Sequence, residues 1–238
     1  SPNDTALLQW PTYLGALGAF NAYEPTFDEF KIGSNREMSS YSEKAAAAGG
    51  DVKFAYMSVD FANPTGYTMS KYEREQTLDF AQQLDIAIIE DAACAAGAAY
   101  KNRTAGSLGD LAVFSFHPRK SITTGEGGMV TTNNDELARK VDQLRNHGAT
   151  VSEEQRHKGP KPYILPDFNL LGFNYRMTDL QGAVGCVQLQ KLDSFIEERS
   201  HWAEWYKEKL GDIAWLKLPV VPPTDRHGWQ SFVTYVDP

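Results

Sequence analysis

The chain has 238 residues, 42% of them hydrophobic and 23% charged, a globular composition that excludes a disordered protein and suits one large α/β domain or one and a half. A formal net charge of -8 repels nucleic acid and anionic membranes on average, so a small molecule is the expected partner. No run nears the roughly 18 apolar residues of a membrane span, the start shows no charged region leading into an apolar one, and a cytoplasmic location is expected.

In chain order, "ALLQW" (6–10) predicts a buried strand and "PTYLGALGAFNAY" (11–23) a helix entered through Pro11. "VKFAYMSV" (52–59) predicts a strand, "SKYEREQTLDFAQQLD" (70–85) an amphipathic helix with a serine N-cap, and "IAIIED" (86–91) a strand without polar alternation. Continuous apolar strands alternating with helices imply a mostly parallel sheet covered on both faces, a three-layer α/β/α sandwich. Ligands of such sheets collect at the carboxyl ends of the strands. Strands follow at "DLAVFSF" (110–116) and "GGMVTTN" (127–133), then a helix from Asp135 towards Arg145. The polar, Pro- and Gly-rich segment 147–174 reads as a long functional loop. A helix from Thr178 carries Leu180, Val184, Val187, Leu189 and Leu192, and another carries Trp202, Trp205 and Tyr206, expected in the core or on a dimer surface. "PVVPPTDRHG" reads as a linker before the strand that begins in "WQSFVTYVD". Residues 1–211 are read as a large ligand-binding domain and 212–238 as the opening of a smaller one.

The segment "FSFHPRKSITTGEGGMV" (114–130) sets Lys120 between a Ser-Phe-His strand end and three glycines within four residues. Glycines admit backbone paths that side chains block. A lysine beside them is either a point charge for an anion or a nucleophilic amine. Asp91 ends an apolar strand, where a buried carboxylate needs a positive partner such as a pyridinium nitrogen. Ser115 offers a hydroxyl that can join backbone amides around a phosphate. An acid for a ring nitrogen, an amine for an aldehyde, a hydroxyl for a phosphate and glycines for clearance together describe a pyridoxal phosphate site. Singly, each has a plainer reading: a solvated loop lysine, a helix-capping aspartate, a strand-end hydroxyl. Cys94 and Cys186 lie in small-residue surroundings without metal-ligand spacing, so no disulfide or metal site is expected, and both read as small buried residues.

"IIEDAACAAGA", "GSLGDLAVFSFHPRKSITTGEGGMVTTN" and "LGFNYRMTDLQGAVGCVQLQKLD" closely resemble the DegT/DnrJ/EryC1/StrS sugar aminotransferases, fold type I pyridoxal phosphate enzymes, from about residue 86 to the end. The resemblance implies Lys120 as the Schiff-base lysine, Asp91 as the partner of the pyridine nitrogen and Ser115 as a phosphate ligand. It also implies that Asn174, in "GFNYRM", reaches across a homodimer to the partner's phosphate. The implied amino donor is glutamate and the acceptor a nucleotide-linked keto sugar. A dehydratase branch of the family replaces the lysine with histidine, and Lys120 argues against it.

"PTYLGALGAFNAYEP" and "FANPTGYTMSKYEREQTLDFAQQLDIAIIED" instead resemble class I/II aminotransferases, another branch of the same fold type. That likeness implies that Tyr13 stacks on the cofactor ring and Asn63 bonds its phenolic oxygen. The chain therefore reads as a mosaic. Where the two branches carry Gln or Tyr three residues after the aspartate, this chain has Cys94, a weaker donor to the phenolic oxygen. The Gly-Thr or Gly-Ser phosphate cradle of the family finds no counterpart in the sequence. A competing expectation is thus a catalytically incompetent, dimeric scaffold that binds the cofactor weakly. His227 and Gln230 fall where relatives place a sugar-contacting histidine, Arg176 is either a surface ion pair or a substrate-phosphate contact, and His117 is expected to pack near the cofactor.

Overall fold

Thr5–Leu8 (β1) lacks any charge over four residues, and each of the four is buried. It is the middle strand of a parallel sheet in the order β2-β1-β3, flanked by Thr26–Glu29 (β2) and Val52–Tyr56 (β3). A strand that is paired on both edges and covered on both faces has no position for a charged side chain, which explains why only Thr5 among the four is polar and Ala6, Leu7 and Leu8 are apolar. The computed structural model describes residues 2–31, 34, 36–37, 39–58 and 69–236, in two compact units, Ser1–Ala87 and Ile88–Pro238.

Three helices complete the first unit: Leu14–Asn21 (α1), Ser39–Ala47 (α2) and Lys71–Gln83 (α3). Ser70 and Glu73 close a reciprocal capping box at the start of α3, as the serine N-cap predicts. Phe80 of α3 joins Leu7, Phe30 and Tyr41 in the core, with ring centroids 4.4 Å from Phe30 and 6.0 Å from Tyr41. The helix expected from Pro11 begins later, at Leu14, because Tyr13 is extended and its carbonyl receives the first helical amides, from Ala16 and Leu17. Neither β2 nor α2 is legible in the sequence. The strand β2 carries a buried aspartate, Asp28, whose oxygens accept from Arg36 at 2.7 Å and Lys44 at 2.8 Å. Burial alone would raise the Asp28 carboxyl, but these two cations outweigh it and hold the group below its ordinary 3.8.

In the second unit, Ile89–Asp91 (β4) pairs in parallel with a longer strand, which with Ala99–Tyr100 (β5) and Arg103–Thr104 (β6) before it is β7, Leu111–Ser115. Gly128–Thr131 (β8) pairs antiparallel on the far edge of β7. The predicted run 86–91 is therefore a strand only from Ile89, while Ile86 packs against the core of the first unit. Asp135–Leu144 (α4) follows, capped by Asn134, whose side chain accepts from the Glu136 and Leu137 amides. Segment 147–174 is a loop with closed ends, since Asn146 bridges Asn174 and Ala149 bridges Phe168. Within the long loop expected there it contains a short helix, Glu153–Lys158 (α5), because Ser152 and Gln155 form a capping box.

Asp179–Gln190 (α6) and Leu192–Leu210 (α7) follow as predicted. Leu216–Lys217 (β9), Asp225–Arg226 (β10) and Tyr235–Val236 (β11) end the chain. The expected linker is thus tied down: β10 pairs antiparallel with β5, and β11 with β9. The apolar face of α6 is open to solvent, with Leu180 81% exposed. Trp202, Trp205 and Tyr206 lie half-exposed, ring against ring along α7, and do not enter a core. The architecture is α/β with mostly parallel pairing between the main strands.

Candidate active site

The strands β4 and β7 run side by side, with Asp91 opposite Val113, so their carboxyl ends open to the same side. Asp91 is the last residue of β4, and Ser115 lies two residues beyond Val113 on β7. Asp91 is exposed, which corrects the expectation of a buried carboxylate seeking a counter-charge. Its one hydrogen bond among the described residues is Oδ1 accepting from the Ala93 amide at 3.0 Å, the turn-capping role of a strand-end aspartate. The second oxygen, Oδ2, has no partner among the described residues.

Lys120 sits on the loop that leaves β7, and its Nζ donates to Cys94 Sγ at 2.9 Å. Cys94 is three residues past Asp91, so the lysine spans from the β7 side to the segment leaving β4. Both cysteines are exposed, against expectation: Cys94 lies at this strand-end site, and Cys186 lies on α6, which buries no residue. The Ser115 hydroxyl accepts a long bond, 3.4 Å, from the His117 amide, and its own proton has no acceptor among the described residues. His117 Nδ1 accepts from the Arg119 amide, and its Nε2 lies 3.8 Å from Glu126 Oε1.

The loop from 116 to 127 is closed on itself. The Phe116 amide donates to Gly127 O at 2.8 Å, while Phe116 O accepts from the Thr124 amide and the Thr123 hydroxyl. Gly125 and Gly127 have φ of 84° and 151°, which side chains rarely adopt. A Cβ on Gly127 would also meet Thr124 Oγ1 at 2.6 Å. Gly125 thus serves the backbone dihedral alone, with open space around it, while Gly127 serves both the dihedral and the clearance that the sequence predicts.

The structure adds supports that the sequence did not flag. Gln181 of α6 donates to Glu126 O at 2.9 Å, and Gln188 accepts from the Thr123 amide at 3.3 Å. Arg199 of α7 donates to Ser121 Oγ at 3.2 Å and to Trp229 O at 3.0 Å. Gln181 is legible only as a helix-capping residue and Arg199 only as one charge on a helix, because their partners are distant in sequence. Gln230 belongs to the same assembly, bonded to Arg119 O and to the Ser121 hydroxyl. His227 accepts from the Trp229 amide, and burial together with the Lys207 charge keeps it below its ordinary 6.5. Trp229 itself has φ of 44°, a left-handed backbone that a non-glycine residue holds at a cost of about 1–3 kcal/mol.

Asn174 lies in the bridge to Asn146 and is exposed; its side chain accepts from the Arg176 amide at 3.4 Å. Among the described residues Arg176 forms no ion pair and donates instead to Asn146 Oδ1 at 2.6 Å. Tyr13 belongs to the first unit, where it precedes α1 with its ring half-exposed. Asn63 lies outside the described residues. In that unit a hollow of about 320 Å³ opens at the carboxyl ends of its parallel strands, lined by Trp10, Glu29, Lys31 and Met57 among others. In the second unit a smaller hollow of about 120 Å³ lies under the 147–174 loop and includes neither Asp91 nor Lys120. Among the described residues, no helix is long and apolar enough to cross a membrane, and no cluster of His, Cys, Asp or Glu is placed to hold a metal ion.

An amine, a carboxylate oxygen and a hydroxyl at the ends of two adjacent strands, beside a glycine-walled loop, are the donor set that a phosphorylated pyridine aldehyde requires, and in this respect the residues fit pyridoxal phosphate. Comparison with known proteins agrees. The profile of the DegT/DnrJ/EryC1/StrS aminotransferase family matches residues 70–238, starting 16 residues before the resemblance noted above and so taking in α3. The GDP-perosamine synthase of Caulobacter vibrioides is 41% identical over 156 residues, covering 65% of this chain and 39% of that protein. The spore coat polysaccharide biosynthesis protein SpsC of Bacillus subtilis is 34% identical over 174 residues, covering 73% of this chain and 44% of that one. A solved protein of Streptococcus pneumoniae, in its PMP-form, superposes over 100% of this chain and 62% of its own with a TM-score of 0.69 at 21% identity, and its PLP-form is also known. The chain spans less than half the length of these curated relatives.

Proposed function

Because the chain belongs to the DegT/DnrJ/EryC1/StrS aminotransferase family, we propose that it carries the lysine-bearing part of a pyridoxal phosphate-dependent sugar aminotransferase. The observation that carries this reading is the reach of Lys120 from the β7 loop to Cys94, beside the end of β4 where Asp91 stands. The acceptor in this proposal is a nucleotide-linked keto sugar, a class supported by the name of the Caulobacter relative, and the donor is glutamate.

Bound pyridoxal phosphate supplies an aldehyde that captures amines and a ring that draws electrons from the adjoining carbon. Lys120 Nζ would hold that aldehyde carbon and, as a free amine, would carry the proton taken from the substrate's Cα. Asp91 Oδ2 accepts the ring N–H and keeps that nitrogen protonated. Ser115 Oγ donates to the phosphate, and Cys94 Sγ holds the lysine amine near its working position. Asn174 serves the phosphate of a second copy. The exposed apolar residues around it, with Leu171 83% exposed, and the bare face of α6 support such a homodimer.

Borohydride reduction of the chain with added pyridoxal phosphate, followed by peptide mass mapping, tests the assignment. The cofactor is expected on the peptide bearing Lys120 and is expected to be lost from it in Lys120→Ala. Attachment at another lysine would overturn the reading.

A further inference from the structure

Lys120 is held by a residue 110 positions later in the chain. The side-chain amide of Gln230 spans it: Nε2 donates to the carbonyl of Arg119, on one side of the lysine, at 2.5 Å, and Oε1 accepts from the hydroxyl of Ser121, on the other side, at 3.1 Å. Chemistry fixes the orientation of that amide. Only the NH2 end can donate to a carbonyl, and the Ser121 oxygen already accepts from Arg199 at 3.2 Å, so its own proton is free for Oε1. Ser121 is 7% exposed, which makes its bond to Gln230 poorly replaceable by water, whereas the bond to the Arg119 carbonyl is exposed. The lysine amide closes the same turn by donating to His117 O at 2.9 Å.

Gln230 is in turn anchored. Arg199 holds the carbonyl of Trp229 as well as Ser121, so one guanidinium ties the brace to the loop it braces. The Trp229 ring lies 4.2 Å from that of His227 and 5.9 Å from that of Phe232, with Lys207 Nζ 5.1 Å above it. These contacts hold Trp229 in its left-handed conformation immediately before Gln230.

Resting on the assignment of Lys120 given above, we infer that Gln230 is a positioning residue for the lysine: it clamps the peptide groups on both sides of Lys120 and thereby limits where the amine can go. It touches neither substrate nor cofactor in this role, which differs from the sugar contact expected of its position. A lysine that must serve as both anchor and proton carrier gains from a fixed backbone, since misplacing a reacting group by about 1 Å costs up to roughly 100-fold in rate.

The test uses the full chain with Gln230→Met, which keeps length and removes both bonds, and Ser121→Ala, which removes one. Two readouts are taken: the rate at which borohydride fixes added pyridoxal phosphate to Lys120, and hydrogen exchange at the Lys120 and Ser121 amides without cofactor. Labelling is expected to slow about tenfold in Gln230→Met and less in Ser121→Ala. Exchange of the two loop amides is expected to quicken while the α7 amides keep their rates, which separates a local effect from loss of fold. Unchanged exchange in Gln230→Met overturns the inference, as does an equal quickening throughout α7. If the unsubstituted chain is not labelled at Lys120, the family assignment of the lysine fails, and the exchange result alone still decides whether Gln230 braces the loop.

Discussion

Replacing Asp28 by Asn should loosen the first unit by an amount that can be worked from its contacts. Among the described residues three hydrogen bonds end on this carboxylate: from Arg36 at 2.7 Å, from Lys44 at 2.8 Å and from the Glu29 amide at 3.0 Å. Bonds to a charged group contribute about 1.5–3 kcal/mol each when buried. The aspartate side chain is 7% exposed, but Lys44 is 58% exposed and its share is largely screened by solvent. Arg36, at 29%, also stacks 3.7 Å from the centre of the Tyr41 ring and has more to lose. Asparagine keeps one acceptor oxygen. The net loss is therefore expected near 2 kcal/mol, mostly through Arg36, well under the 3–5 kcal/mol of a fully buried pair. Because the chain has two compact units, a single melting curve mixes them, and hydrogen exchange of the β1 and β2 amides is the better measure. A loss of 2 kcal/mol makes exchange there about 30-fold faster. The pH dependence supplies a second check. The carboxyl is held below 3.8 in the folded chain, so its stabilisation is complete above that pH and disappears as pH falls through the lower folded value. The gap between the two proteins should hold from neutral pH down to about 4 and close in stronger acid. Equal exchange at pH 7, or a gap that widens on acidification, would refute the argument.

Phe80→Ala should cost about 3–5 kcal/mol in the same exchange measurement, since a ring 1% exposed leaves a cavity between Leu7, Phe30 and Tyr41 that β1 cannot collapse to fill. Gly148→Ala should open the 147–174 loop, because the residue has φ of 78° and an added Cβ would run into the Leu170 carbonyl. Limited proteolysis should then cut between residues 150 and 168 at least several-fold faster than in the parent chain, while β1–β3 amides exchange unchanged.

The sequence by itself determined whatever is written in neighbouring residues. The uncharged run at β1, the Ser70-x-x-Glu73 cap of α3 and the strand end, lysine and glycines around Lys120 each rest on backbone dihedrals, side-chain period or a cap that closes within a turn. These signals place a reactive amine, a carboxylate and a hydroxyl at strand ends before any contact is known. Tertiary structure decided the rest. It put β2 into a sheet despite Asp28, because cations from two later positions neutralise that carboxylate. It left Asp91 exposed, as the last residue of a three-residue strand that stands at the end of the order β4-β7-β8. It brought Cys94 to Lys120 across 26 residues and Gln230 to the lysine loop across 109 and 111. Such contacts depend on which distant segments pack together, and a glutamine that braces a lysine carries the same local pattern as one facing water.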